Sequence, residues 1–336
     1  MMDEKKSEVR QQNCFHLSEK STLPVLSPSS RSFLLARWVP YAELSRLHKP
    51  TGIYYFYFPF LHGSLLASAV NPTTIPPLEV LMSNLTFFAL CAIWRGAACT
   101  WNDTLDVDLD KQVARTRNRP IARGAVSVRQ AHIYTAVQTV VALGLASLLP
   151  ARALYAGIPW LVLVIFYPLA KRVTMYPQAV LGFVMSWGSI WSCLTLSDQF
   201  LDFTNGPFIA MICLLCSNYV WAVLYDMIYA HQDVEDDKKA GVKSIAVVHQ
   251  GDKRLLFALS AIQATLLGSC AVAMGAGWGM IAGVCVTVLT LTNMICRVDL
   301  GEPASCLWWF QNGCWFTGLA ISLGLFGEYA ARFFEA

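Results

Sequence analysis

The stretch N-D-T-L-D-V-D-L-D, Asn102 to Asp110, follows directly on an apolar run from Leu78 to Thr100. A second acidic stretch, D-M-I-Y-A-H-Q-D-V-E-D-D from Asp226 to Asp237, closes another apolar run that begins at Pro207. In helical geometry, spacings of three and four residues place Asn102, Asp106 and Asp110 on one stripe, and Asp226, Tyr229, Asp233 and Asp237 on another. Stacked carboxylates repel one another, so each stripe calls for cations beside it. Each stretch leaves the end of a long apolar segment, where charge is least expected.

Working outward, the composition agrees. The chain has 336 residues, of which 55% are hydrophobic and 14% charged, and a mean hydropathy of +0.46. Such values predict an all-α, polytopic membrane bundle rather than soluble domains. Nine apolar segments of about 20 residues or somewhat fewer can be marked: near Gly52 to Val70, Leu78 to Thr100, His132 to Leu149, Leu154 to Tyr167, Gln178 to Leu196, Pro207 to Ala230, Leu255 to Met274, Gly277 to Ile295 and Leu307 to Phe326. If they alternate, one end collects Arg46, Lys49, Lys111, Arg115, Arg117, Arg119, Arg123, Arg129, Lys171, Arg172, Lys238, Lys239, Lys243, Lys253, Arg254 and Arg297. The opposite end holds only Arg152, with Arg332 in the tail. That asymmetry assigns the basic end, and both acidic stretches with it, to the cytosol. The expected architecture is thus about nine transmembrane helices around a central cavity that opens to the cytosolic side.

The sequence divides into a polar, mobile amino-terminal segment, residues 1–40, and a transmembrane domain, residues 41–336. Y-A-E-L-S-R-L-H-K-P-T-G, ending at Gly52, reads as a short interfacial helix leading into the first span. The first residues, M-M-D-E-K-K-S-E-V-R, lack both the apolar core of a signal peptide and the acid-poor character of a transit peptide. An endoplasmic-reticulum type membrane is expected on that ground, with the mitochondrial inner membrane as the alternative. A formal charge of +3 without any basic stripe excludes a nucleic-acid partner. Eleven cysteines lie scattered, mostly inside apolar runs, without zinc spacing. Cys213 and Cys216 form C-x-x-C in a run where a thiolate is poorly solvated, so they read as small apolar residues.

Two oxygen-bearing stripes without His or Cys ligands suit a hard cation such as Mg²⁺, which binds through one or two carboxylates together with substrate phosphate and water. A diphosphate ligand is implied. Arg115, Arg119, Lys171, Arg172 and Lys243 stand beside the stripes to neutralise its oxygens. With phosphate at the cytosolic mouth and its organic tail among the spans, the ligand is expected to be a prenyl diphosphate. Aromatic faces on the spans, among them Tyr54, Tyr55, Tyr57, Trp94, Tyr167, Trp187, Trp191, Tyr219 and Trp221, can shield an allylic cation, although ordinary packing accounts for most such residues.

R-G-A-A-C-T-W-N-D-T-L-D-V-D-L-D-K-Q-V-A-R-T-R-N-R-P-I-A-R-G (Arg95 to Gly124) and Y-D-M-I-Y-A-H-Q-D-V-E-D-D-K-K-A-G-V-K-S (Tyr225 to Ser244) resemble the two signatures of the UbiA-type intramembrane prenyltransferases. R-L-H-K-P-T-G, Y-P-L-A-K-R and P-Q-A-V-L-G add weaker matches. The resemblance implies that Asn102, Asp106, Asp110, Asp233 and Asp237 hold Mg²⁺, with Asp226 in support. It implies diphosphate or carboxylate contacts for Arg95, Arg115 and Lys171, a place for Tyr167 beside the breaking bond, and Arg46 toward the pocket of an aromatic acceptor. Asp103, Asp108, Glu235 and Asp236 lie off the stripes and are expected to be solvated or paired with basic neighbours. His231 reads as a polar face residue, and Phe316 stands where the family commonly has Gly.

The implied reaction is transfer of a prenyl group, farnesyl by expectation, to a ring carbon of a phenolic polyketide acid in meroterpenoid biosynthesis. The alternative is 4-hydroxybenzoate polyprenyl transfer for ubiquinone. A cation-coupled carrier using the same acids is disfavoured because the acids are terminal rather than at the midplane. A non-catalytic prenyl-lipid binder is disfavoured by the intact pair of motifs.

Overall fold

The computed structural model describes residues 33–71, 75–241 and 243–335. Among the described residues every regular element is helical. Helix α1 (Phe33–Leu44) precedes α2 (Thr51–Val70) and α3 (Pro77–Leu105), and then α4 (Val128–Ala146) and α5 (Ala151–Val173). The pair α6 (Pro177–Ser186) and α7 (Gly188–Leu196) forms one bent segment, followed by α8 (Gly206–Ala230), α9 (Lys253–Ala273), α10 (Trp278–Arg297) and α11 (Pro303–Glu335). Residues 1–32, most of the expected mobile segment, lie outside the described residues, whereas residues 33–40 belong to α1.

Local chemistry sets the helix starts. Ser127 caps α4 through a reciprocal pair with Gln130. Asn205 caps α8 by accepting from the Phe208 N–H, with Pro207 in the first turn. Asp252 caps α9 by accepting from the Arg254 N–H. The cap at Asn205 sits where the sequence turns from polar to apolar.

Among the described residues six segments are long and apolar enough to cross a membrane: Pro77–Leu105, Ala151–Ala170, Pro177–Leu196, Gly206–Lys239, Lys253–Ala273 and Trp278–Arg297. The chain is an integral membrane protein. Helices α2, α4 and α11 occupy three further segments marked in the sequence and are long enough, but they are more polar. Tyr54, Tyr55, Tyr57 and His62 interrupt α2, Arg129, Gln130 and His132 open α4, and Gln311 and Asn312 sit in α11. The fifth apolar segment is not one straight helix, because it bends at Trp187 next to Gly188 and Ser189, a known kink site.

Much of the polar content is used between helices. His62 is enclosed, with Nδ1 2.9 Å from Asn218 Oδ1 and Nε2 3.0 Å from the Gly318 carbonyl, while Asn218 Nδ2 donates to Ser189 Oγ at 2.8 Å. Interhelical bonds of this kind contribute about 0.6–2 kcal/mol each in a membrane bundle. Toward the acidic end, Tyr55 stacks on Phe310 at 4.6 Å and packs against Trp221 and Tyr225. Trp221 Nε1 donates to Thr317 Oγ1 at 2.8 Å. Phe316 turns outward, 47% exposed, so its bulk is not opposed by the packing of Gly313 against Tyr225 and of Gly318 against Phe58.

At the far end, Arg152 donates to the carbonyls of Leu194 and Thr195 at 2.6 and 3.1 Å. Arg332 donates to the carbonyls of Ala69, Met274 and Gly275 and to Glu328. These are carbonyls that the closing turns of α2, α7 and α9 leave without helical partners.

Candidate active site

The two acidic stretches meet at one end of the bundle. Neither is a continuous helix. Helix α3 stops at Asp106 (φ −98°, ψ 10°) and a four-residue helix, Val107–Asp110, follows. Asp side chains compete with the helical backbone pattern, and the chain bends where they concentrate. Still, the Asp106 N–H donates to the Asn102 carbonyl and the Asp110 N–H to the Asp106 carbonyl, at 3.0 and 2.8 Å. The four-residue register therefore passes through the bend. In the second stretch α8 ends at Ala230, a 3₁₀ turn spans His231–Asp233, and the helix Val234–Ala240 ends at Gly241 in the left-handed region (φ 68°).

The loop that follows the first stretch contacts the second directly. Arg115 Nε donates to both oxygens of Asp233 at 2.9 and 2.8 Å, and Nη1 donates to Tyr229 Oη at 3.1 Å. The Ala114 N–H reaches Asp236 Oδ2 at 3.4 Å. Arg119 Nη1 donates to Asp103 and Asp110. Tyr167 lies on α5, one turn before Lys171 and Arg172. Arg172 Nη2 donates to the Leu105 carbonyl at 2.8 Å, tying the end of α5 to the end of α3. Lys171 lies on the last turn of α5, its side chain outside the described ones. Lys243 is half-buried on the loop before the short helix Ile245–Val248.

The connection from α1 to α2 closes over this end as a strap, Arg46 to Gly52. Arg46 adopts φ 56°, a left-handed conformation that is costly for a residue with a Cβ. Its side chain accounts for its stability there, since Nη2 donates to both oxygens of Asp103 at 2.7 Å. Arg95 donates to the carbonyls of Arg46 and Lys49 at 3.2 and 2.9 Å, so in this structure it grips the strap rather than an acidic stripe. Gly52 makes room, because a Cβ there would lie 2.5 Å from Arg95 Nε. Burial, together with the guanidinium groups of Arg115, Arg46 and Arg119, holds the Lys49 ammonium below the usual lysine value. Cations crowded in this way mark a place for an anion.

Asp103 and Lys49 are the residues that spacing did not single out as ligands. Asp103 has no exposed surface and pairs with two arginines, whereas the other off-stripe acids, Asp108 and Glu235, make loose pairs at 3.5 Å with Lys111 and Lys238. His231 is buried, with Nδ1 2.7 Å from the Met227 carbonyl and Nε2 accepting from the Gly251 N–H, so it anchors the second stretch to the following loop.

The donor set is Asn and Asp oxygen, as a hard cation requires. Asn102 Oδ1 is buried and has no hydrogen-bond partner among the described residues, which fits a ligand atom waiting for a cation. Among the described residues no three His, Cys, Asp or Glu side chains gather closely enough to hold a metal ion unaided. Arg115 and Arg119 stand between the acids instead.

The chain is similar to known proteins along most of its length. Residues 56–320 match the model of the UbiA prenyltransferase family. The chain is 38% identical over 95% of its length, and 83% of the relative's, to a protein of Saccharomyces cerevisiae named 4-hydroxybenzoate polyprenyltransferase, mitochondrial. It is 33% identical over 89% of its length, and 88% of the relative's, to prenyltransferase stbC of Stachybotrys bisbyi. A solved structure of a UbiA homolog from Archaeoglobus fulgidus, bound to DMAPP and Mg²⁺, superimposes with a TM-score of 0.62 at 18% identity, covering 86% of this chain and 99% of that one.

Proposed function

The chain belongs to the UbiA prenyltransferase family, and on that premise we propose that it transfers a farnesyl group from its diphosphate to a ring carbon of a phenolic polyketide acid, in meroterpenoid biosynthesis. The observation that carries the reading is the bidentate Arg115–Asp233 contact, which ties the loop after the first acidic stretch to the second stretch across 118 positions of sequence. Likeness to a fungal prenyltransferase and to a homolog solved with DMAPP and Mg²⁺ supports it. Asn102, Asp106, Asp110, Asp233 and Asp237 would hold Mg²⁺, with Asp226 behind them. The ion, when bound, supplies positive charge that makes diphosphate a better leaving group.

The protein's own groups do the rest. Arg115, Arg119, Lys49, Lys171 and Arg172 balance phosphate charge. Tyr167 offers its ring to the electron-poor C1 as the C1–O bond breaks. Packed aromatics around Tyr55 and Trp221 keep water from the allylic centre. Attack by an electron-rich ring carbon forms the C–C bond, and that carbon then loses its proton. Arg46 and Arg95, through the strap, shape the acceptor side.

In this reading all nine long helical segments cross the bilayer, with the acidic end facing the cytosol of an endoplasmic-reticulum type membrane. Likeness to the mitochondrial 4-hydroxybenzoate enzyme favours a second reading, with that acid as acceptor and the mitochondrial inner membrane as address. Purified protein with Mg²⁺, farnesyl or longer diphosphates, and 4-hydroxybenzoate or orsellinate-type acids separates the two by product mass. No diphosphate release with any of these acceptors would overturn both.

A further inference from the structure

Asp103 is outside the regular acidic register and yet is fully enclosed, with 0% exposure. It receives Arg46 Nη2 on both oxygens at 2.7 Å and Arg119 Nη1 on Oδ1 at 3.0 Å. The same Nη1 donates to both oxygens of Asp110 at 2.9 Å. One nitrogen of Arg119 thus straddles two carboxylates, of which only Asp110 belongs to the metal set. Nε and Nη2 of Arg119 donate to no group among the described residues, and the side chain is 19% exposed. A guanidinium anchored by one nitrogen, with three N–H groups left over, is suited to a phosphate edge.

We propose that Asp103 is a positioning residue that retains Arg119 when a metal takes Asp110, leaving Nε and Nη2 of Arg119 for the diphosphate. The proposal rests on the metal and diphosphate reading given above. Arg119 and a cation compete for the oxygens of Asp110. With Asp103 beside it, Arg119 surrenders one hydrogen bond to the newcomer and keeps another. Without Asp103, Asp110 is the only carboxylate among the described residues that holds Arg119, and by linkage whatever strengthens that hold weakens the metal by the same factor. Arg46 shares the anchor, so the strap and the arginine are registered by one carboxylate.

The test is a double-mutant cycle on the full chain in detergent, read without turnover by electron paramagnetic resonance of Mn²⁺ binding. Asp103→Asn is expected to weaken Mn²⁺ about tenfold, within the usual size of a coupling. Arg119→Gln should change Mn²⁺ affinity by less than about threefold alone, yet restore most of the loss in the Asp103→Asn background. Equal effects of Arg119→Gln in both backgrounds would mean simple charge summation and would overturn the proposal, as would wild-type Mn²⁺ affinity in Asp103→Asn.

Asp103→Glu covers the case in which Asn does not fold. The longer carboxylate keeps the charge and moves the anchor, so Mn²⁺ affinity should hold while affinity for inorganic pyrophosphate with Mg²⁺ falls by about five- to tenfold. Unchanged pyrophosphate affinity there refutes the positioning role. Failure of the wild-type protein to bind either Mn²⁺ or pyrophosphate with Mg²⁺ would remove the functional reading itself, a result distinct from additive variants on a metal-binding wild type.

Discussion

Gly52→Ala is expected to damage the site without touching a charged residue. A Cβ at position 52 would lie 2.5 Å from Nε, 2.6 Å from Nη2 and 2.9 Å from Cζ of Arg95, whose side chain is enclosed, with 8% of the residue exposed. The guanidinium must withdraw, and it then leaves one or both of its bonds to the Arg46 and Lys49 carbonyls. A hydrogen bond from a charged donor contributes about 1.5–3 kcal/mol, so loss of one bond comes to about 2 kcal/mol and loss of both to roughly twice that. About 2 kcal/mol is a thirtyfold drop in the closed-to-open ratio of the strap at about 1.4 kcal/mol per decade. Melting should fall by about 4 °C, and KM for the prenyl diphosphate should rise by about tenfold or more, because the strap carries Lys49. Gly144→Ala is the control, because a Cβ there meets nothing within 4 Å and helix propensity favours Ala by about 1 kcal/mol. Arg95→Met and Gly52→Ala act through the same two bonds, so combining them should add little to Arg95→Met alone. Wild-type melting and wild-type KM in Gly52→Ala, or full additivity with Arg95→Met, would refute the strap argument.

Asp106→Ala and Asp233→Ala should each lower turnover by about two to three orders of magnitude, the scale of several kcal/mol of charge stabilisation, in protein with a normal helical spectrum. Near-normal turnover in either variant at limiting Mg²⁺ would remove that residue from the metal set. Chelation with EDTA should stop product formation reversibly, with Mg²⁺ restoring it; activity that persists in EDTA would contradict metal dependence. Because the Lys49 pKa is lowered by burial and by its arginine neighbours, its charge is lost below the ordinary lysine range, so KM for the diphosphate should rise at alkaline pH. Lys49→Arg, charged throughout, should flatten that limb, and an unchanged limb would show that Lys49 does not meet the anion.

The spacing of Asn102, Asp106 and Asp110 was legible because backbone bonds of the i to i−4 type run through all three. What the pattern predicts as one continuous stripe is in fact the end of the long helix α3 and a four-residue helix meeting at Asp106, and the bend is invisible to a rule that counts only residues. Charge asymmetry likewise located the basic end without the structure. Partner choice was not legible. Arg46 finds Asp103 at a separation of 57 residues, and Arg115 finds Asp233 at 118, and neither pairing has a local signature. Arg95 looks, by its place in the first motif, like a phosphate ligand, and its bonds to two backbone carbonyls follow from the strap's path and the absence of a side chain at Gly52. The outward turn of Phe316 depends on which face α11 gives to α2 and α8, which a single helix does not reveal.

Arg152 and Arg332, the two exceptions to the charge asymmetry, bind backbone carbonyls that no substrate can replace. Arg332 in particular draws the ends of α2 and α9 to α11. The opposite end is fastened by Arg115, Arg119 and Arg46 to carboxylates, contacts for which a metal and a diphosphate are chemically equivalent substitutes. One end of the bundle is therefore latched and the other is held by exchangeable ties. On the proposed function, a bulky donor would enter by trading places with those ties, and the breathing that admits it would be confined to the end where its head group comes to rest.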